Sequence, residues 1–136
     1  MSKQLTILLV DDDADWRMVL GDALLCELPD VQIVEASGGH EAMKLLGSSS
    51  QIRPDLVCAD LDMPGMNGME LLRSIKTSRA LRSIPVVIIT GQDDLLTRDA
   101  AICNGASGFT SKSSDLKSLI AKVLYPLICS SWQEES

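Results

Sequence analysis

The chain has 136 residues, 46% hydrophobic and 23% charged, with a formal net charge of −7 and an isoelectric point of about 4.5. That length and hydrophobic content suit one domain with a real core and exclude a disordered chain. The acidity makes phosphate backbones and anionic lipids poor direct partners, and no apolar run approaches the roughly 18 residues of a membrane span, so neither a nucleic-acid nor a membrane partner is expected.

The N-terminus, MSKQLTILLV, carries one lysine before an apolar run and lacks the cationic start and cleavage site of a signal peptide, which predicts a cytoplasmic protein. Residues Leu5 to Val10 form a continuous apolar run with β-branched members, the pattern of a central strand buried on both faces. The run ends in Asp11-Asp12-Asp13. A helix is predicted next, capped by Asp13 or Asp15, with Trp16, Val19, Leu20, Ala23, Leu24 and Leu28 on its apolar face and Pro29-Asp30 as its stop. Val31 to Ala36 reads as a second strand, and Ser37-Gly38-Gly39 turns into a helix from about His40 to Leu46. His40 is the single histidine; it has no nucleophile or ligand cluster beside it and reads as a solvated helix-end residue. Gly47 to Gln51 is a short flexible link.

Leu56 to Ala59 is a third, buried strand that delivers Asp60 onto a loop marked by Pro64-Gly65 and Asn67-Gly68. An amphipathic helix carrying Met69, Leu72 and Ile75 follows to about Thr77, then a polar connector from Ser78 to Ser83. Val86 to Thr90 is the fourth strand, ending at Thr90-Gly91. Asp93-Asp94 cap a helix from about Leu95 to Cys103 that Asn104-Gly105 closes. Gly108 to Ser111 is a short last strand ending in Lys112. Ser114 or Asp115 caps a final helix with Leu116, Leu119, Ile120, Val123, Leu124 and Leu127 on its apolar face, and SSWQEES reads as a frayed tail. The four cysteines, Cys26, Cys58, Cys103 and Cys129, are widely spaced without a CxxC pair and read as buried small hydrophobes.

Five strands alternating with five helices predict an α/β domain, a doubly wound five-stranded parallel sheet with helices on both faces. Right-handed crossovers favour the flavodoxin-like order 2-1-3-4-5, although no strand pattern fixes it. In that order Asp11 and Asp12, Asp60, Thr90 and Lys112 converge at the carboxyl edge of neighbouring strands. Three close carboxylates repel one another, so either their pKa values rise or a cation neutralises them. Oxygen ligands without Cys or His suit Mg²⁺, Mn²⁺ or Ca²⁺, and few protein ligands with room for water favour Mg²⁺. A hydroxyl and an ammonium opposite are what a phosphoryl group requires.

The segments VDDD, PDLVCADLDMPGMNG, IPVVIITG and GASGFTSK resemble, in order and spacing, the receiver domains of two-component response regulators, of the stand-alone, chemotaxis-regulator-like kind. The likeness runs from about Leu5 to Leu127, with residues 1–129 expected as the receiver domain and 130–136 as a short C-terminal tail. It implies the 2-1-3-4-5 order, Asp60 as phospho-acceptor, and Mg²⁺ held by Asp11, Asp12, Asp60 and the backbone carbonyl of Asp62. It further implies that Thr90 and Lys112 bind the phosphoryl group, with Gly91 and Phe109 at switch positions. The implied function is a phosphorelay module rather than an enzyme: a histidine kinase or histidine phosphotransfer protein donates, and a downstream effector is reached through the surface of the fourth helix, last strand and last helix. That surface would also pair two copies if activation brings dimerisation. With no output domain after Leu127, the signal is expected to pass to another protein unless the sequence is a fragment of a larger regulator.

Four residues depart from the family pattern. Ser113 follows Lys112 where proline is usual, which predicts a trans Lys112–Ser113 bond because a cis bond before a non-proline residue costs about 2.5–4 kcal/mol. Gly91 replaces a small Ala, Phe109 replaces Tyr, and Asp62 adds a negative charge near the acceptor. Asp60-Leu61-Asp62 also resembles the DxD motif of haloacid-dehalogenase-type phosphatases, which gives an enzyme alternative using Asp60 and Asp62. Pro64 stands where that motif wants Thr or Val. Flavodoxin-type cofactor binding fits poorly, since Asp11-Asp12-Asp13 would repel a phosphate.

Overall fold

A computed structural model describes residues 4–47, 52–91 and 94–135, with side chains described to Ile128. The strands are β1 (Thr6–Val10), β2 (Gln32–Ala36), β3 (Leu56–Ala59), β4 (Val86–Thr90) and β5 (Gly108–Ser111), and the helices α1 (Ala14–Glu27), α2 (Gly39–Leu45), α3 (Gly68–Lys76), α4 (Leu95–Cys103) and α5 (Leu116–Glu135). All strands pair in parallel in the order β2-β1-β3-β4-β5, as expected.

The apolar runs explain the sheet. Strands β3 and β4 are buried along their whole length, and β1 all but at Thr6, because helices cover both faces. Alternate residues divide the core. Leu8, Val10, Val57, Ala59, Val86 and Ile88 face α2, α3 and α4. Ile7, Leu9, Leu56, Cys58, Val87 and Ile89 face α1 and α5, where Leu20, Leu24, Leu119, Ile120 and Val123 meet them.

Side chains punctuate the helices as their sequence requires. Asp13 is the N-cap of α1, accepting from the N–H groups of Asp15 and Trp16. Asn67 opens α3 with a reciprocal capping box to Glu70. Asp94 caps α4 by accepting from Thr97, and Asp115 accepts from Ser118 at the start of α5. Gly105 takes a φ of +101° immediately after Asn104, the left-handed conformation that ends a helix with glycine. The Asp93 cap, most of the 47–51 link and the burial of Cys129 lie outside the described residues and side chains.

Three expectations are corrected. Cys58 is buried, and burial pushes its thiol up to about 12, but Cys26 and Cys103 are exposed. They sit on α1 and α4, whose outward sides carry apolar residues too, so hydrophobicity alone misassigns them. Val19 and Leu116, read as core, are 44% and 42% exposed. Helix α5 runs through the stretch read as a frayed tail to Glu135, with Pro126 inside it.

Candidate functional site

Strands β1, β3 and β5 each lead directly into a charged residue whose backbone N–H is fixed by a neighbouring strand. The N–H of Asp11 donates to the carbonyl of Ala36 at 3.1 Å, that of Asp60 to Val10 at 3.1 Å, and that of Lys112 to Thr90 at 2.9 Å. These ladder-like bonds bring the predicted residues to one edge, beyond the carboxyl ends of the strands, where open α/β sheets place their ligands.

One carboxylate oxygen from each of Asp11, Asp12 and Asp60 lies within 4.8 Å of the others. Asp11 and Asp60 are buried at 3% and 5% exposure, whereas Asp12 is exposed and offers an approach from solvent. Asp11 Oδ1 accepts the N–H of Asp13 at 2.9 Å. The Lys112 ammonium stands 2.7 Å from Asp11 Oδ2 and 3.4 Å from Asp60 Oδ2, so it bridges the two buried acids. Asp60 Oδ1 is buried with no hydrogen-bond donor. A buried carboxylate oxygen left bare beside two further carboxylates is the surrounding a hard cation satisfies, and these residues fit a divalent ion with oxygen ligands.

The charges are strongly coupled. Burial pushes the Asp60 carboxyl above the ordinary carboxylate range and the negative charge of Asp11 adds to this, while the Lys112 ammonium and the backbone N–H of Asp62 pull it back only in part. Burial alone would lower the Lys112 pKa; its hydrogen bond and ion pair with Asp11, with the charge of Asp60, outweigh burial and hold it above the usual lysine value. Lys112 therefore stays charged, and the Asp60 carboxylate is disfavoured first by its burial and then by the charge of Asp11.

The remaining predicted residues lie on β4, β5 and the loops that follow β3 and β4. Thr90 is fully buried at the end of β4. Phe109, in register with Ile88, is 9% exposed and has the Arg98 guanidinium 5.6 Å from its ring centroid. Gly91 borders open space. The Asp62 side chain is exposed and outside the carboxylate cluster. No cis peptide bond occurs among the described residues, so Lys112–Ser113 is trans, as expected, and Lys112 still reaches both acids. Ser111 and Ser113 shape this turn: their hydroxyls lie 2.7 Å apart, and the Ser113 N–H donates to Ser111 Oγ at 3.1 Å.

Three participants escaped sequence reasoning. Trp16 places its indole under the Lys112 ammonium, 5.3 Å from the ring centroid; its helical spacing had marked it as core. Arg17 donates to the Asp11 carbonyl through Nη1 and to Glu35 Oε1 through Nε at 2.9 Å, a cross-connection with no sequence signal. Gly68 was read as a turn residue, yet it is the first residue of α3, and a Cβ there would lie 2.2 Å from the Asp60 carbonyl oxygen. His40 is exposed near Gly65 and takes no part.

The sequence matches the family model of the response regulator receiver domain over residues 7–124. It is 34% identical over 121 residues to a protein-glutamate methylesterase/protein-glutamine glutaminase of Thermotoga maritima, covering 88% of this chain and 34% of that protein. It is 30% identical to the two-component response regulator ARR3 of Arabidopsis thaliana, covering 82% and 51%. The chain thus spans about a third to a half of these relatives' length. Among solved structures, the signal receiver domain of a DNA binding response regulator from Colwellia psychrerythraea superposes with a TM-score of 0.81 at 27% identity, covering 92% and 98%. The phosphorylated cyanobacterial phytochrome response regulator RcpA superposes at 0.78 and 27%, covering 89% of each chain. The haloacid-dehalogenase alternative has no support from these matches, and the exposed Asp62 gives it no second buried carboxylate. The fold, its strand order and the matched segment together establish that the chain belongs to the response regulator receiver domain family.

Proposed function

We propose that Asp60 is the phospho-acceptor of this receiver and that it takes its phosphoryl group from a phosphohistidine on a histidine kinase or histidine phosphotransfer protein. The observation that carries this reading is the bare, buried Oδ1 of Asp60 beside Asp11, Asp12 and Lys112. An Asp60 carboxylate oxygen forms the new P–O bond, the P–N bond breaks, and its electron pair stays on the departing imidazole. Asp11, Asp12, Asp60 and the Asp62 carbonyl would hold Mg²⁺, which when bound neutralises charge on the transferring phosphoryl group. Lys112 remains charged to pair with a phosphoryl oxygen, and Thr90 supplies a hydroxyl.

Formation of the acyl phosphate would draw Thr90 and Lys112 inward and repack Phe109, changing the surface of α4, β5 and α5 that an effector protein reads. The role is signalling rather than turnover of a substrate. No described helix is long and apolar enough to cross a membrane, which supports a cytoplasmic setting, and any pairing of copies would use the same surface.

Acetyl phosphate with Mg²⁺ should add one phosphoryl group to the protein, lost in Asp60→Asn and on chelation. Labelling of the Asn variant at wild-type level would overturn the assignment. Beryllofluoride should shift amide signals from Thr90 to Phe109; shifts confined to Asp11, Asp12 and Asp60 would remove the proposed switch. Sedimentation with and without beryllofluoride tests the pairing.

A further inference from the structure

Lysine carries a long, flexible side chain with much rotamer freedom to lose, so an ammonium held at one spot needs several contacts. Lys112 has three: Asp11 at 2.7 Å, Asp60 at 3.4 Å and the indole of Trp16 at 5.3 Å. The first two belong to groups that also serve a cation and a phosphoryl group. Once those arrive, the carboxylates share their charge, and only the neutral indole keeps its full hold on the ammonium. The 5.3 Å separation lies within the roughly 6 Å over which an aromatic face attracts a cation.

Trp16 is itself fixed. Its backbone N–H donates to Asp13 Oδ1 at 3.2 Å, and the backbone N–H of Asp13 donates to Asp11 Oδ1 at 2.9 Å, which ties the first turn of α1 to the buried acid. Arg17, the next residue, donates to the Asp11 carbonyl and to Glu35. The ring, half-buried, packs with the core on the α1 and α5 side and lines a depression shared with Leu20, Cys58, Asp60 and Ile89.

We propose that Trp16 is a positioning residue for phosphoryl transfer: its indole holds the Lys112 ammonium over the Asp11–Asp60 pair. This rests on the reading of Asp60 as acceptor. The contact that Trp16 makes at the site is with Lys112, and it acts through that lysine.

The test uses the full chain with Trp16→Leu and Trp16→Phe. In the unphosphorylated protein, the ε-methylene protons of Lys112, assigned by comparison with Lys112→Arg, should resonate upfield of the other lysines because they lie over an aromatic ring. The displacement should vanish in Trp16→Leu and persist in part in Trp16→Phe. With acetyl phosphate and saturating Mg²⁺, Trp16→Leu should be phosphorylated about 2- to 30-fold more slowly, the range set by a cation–π contact of ordinary strength. Trp16→Phe should recover most of that rate, and the Mg²⁺ midpoint should not move. A wild-type Lys112 signal with no upfield displacement, or a Trp16→Leu protein phosphorylated at the wild-type rate, overturns the proposal. If wild type is labelled elsewhere than Asp60, the acceptor reading fails instead, and the two failures are distinguishable because the lysine signal is read without phosphorylation.

Discussion

Helices α3 and α4 are nine residues long and flank the same side of the sheet, yet the protein holds them very differently. Helix α3 buries Gly68, Leu71, Leu72 and Ile75, opens on a capping box, and fastens its last turn by donating from Lys76 to the carbonyls of Ile84 at 2.7 Å and Arg82 at 3.1 Å. Helix α4 buries Ala101 alone, while Leu95 and Leu96 stand 71% and 82% exposed. The helix that abuts Asp60 is anchored like core, and the helix on the Phe109 side is held lightly. Elements with few buried contacts open at the lowest free energy, so the proposed acceptor stands on the stiff flank and the proposed readout surface on the soft one.

The sharpest way to break this contrast is to remove one leucine from each helix. Leu72→Ala should cost about 2–5 kcal/mol in denaturant unfolding, as a fully buried leucine does, whereas Leu96→Ala should stay within about 0.5 kcal/mol. Equal costs would mean that α4 is anchored by contacts its exposure conceals.

The glycines beside the two flanks give a second pair. Gly68→Ala drives a Cβ into the Asp60 carbonyl and should cost about 1–3 kcal/mol as overpacking does, with a fall in phosphorylation because Asp60 is displaced. Gly91→Ala meets nothing within 4 Å and lies outside the left-handed region. It should be neutral or stabilise by up to about 1 kcal/mol through the unfolded chain.

A third change should stabilise. The folded-state pKa of Asp60 lies above its unfolded value, so its contribution to stability is complete below the unfolded pKa and is lost as pH rises through the folded one. Asp60→Asn, without divalent cation, should therefore melt higher than wild type at pH 7, and the gap should close as pH falls below about 4. Mg²⁺ should narrow the gap at pH 7 by stabilising the wild type. A variant less stable than wild type at pH 7 would show that the Lys112 pair outweighs burial and Asp11.

The smallest effect tests how α4 is fastened. Arg98→Ala should cost about 0.5–1 kcal/mol, the worth of an exposed cation–π contact, and should move the ring signals of Phe109. Phe109 is the one phenylalanine in the chain, so its signals need no further assignment.

Much of this was legible in the residues. Strands announce themselves when buried on both faces, because an apolar run such as LTILLV admits few other readings, and an acidic residue ending such a run marks the sheet edge. Asp11, Asp12 and Asp60 were accessible that way, and Lys112 by its place at the end of the short strand GFTS. Trp16 was not, because an aromatic at helical spacing looks the same whether it fills the core or faces a lysine. Gly68 was legible as a turn but not as a steric requirement, which depends on how closely α3 approaches the Asp60 carbonyl. The exposure of Cys26, Cys103, Val19 and Leu116 also stayed hidden, since apolar residues on the outer side of a helix blur its periodicity.

The backbone bonds from Asp11, Asp60 and Lys112 to the neighbouring strand ends carry a consequence for redesign. Each of these residues is locked one step past its strand, so the loops begin only after the reactive groups have been placed. The loop from Met63 to Met66 can then be grafted only with Met63 kept apolar, since it is buried in the core, with glycine kept at 65, where φ is +74°, and with glycine kept at 39, where a Cβ would come within 2.8 Å of the Met66 carbonyl oxygen. A grafted loop of this kind would alter which proteins are met while leaving the spacing of the acids to the sheet.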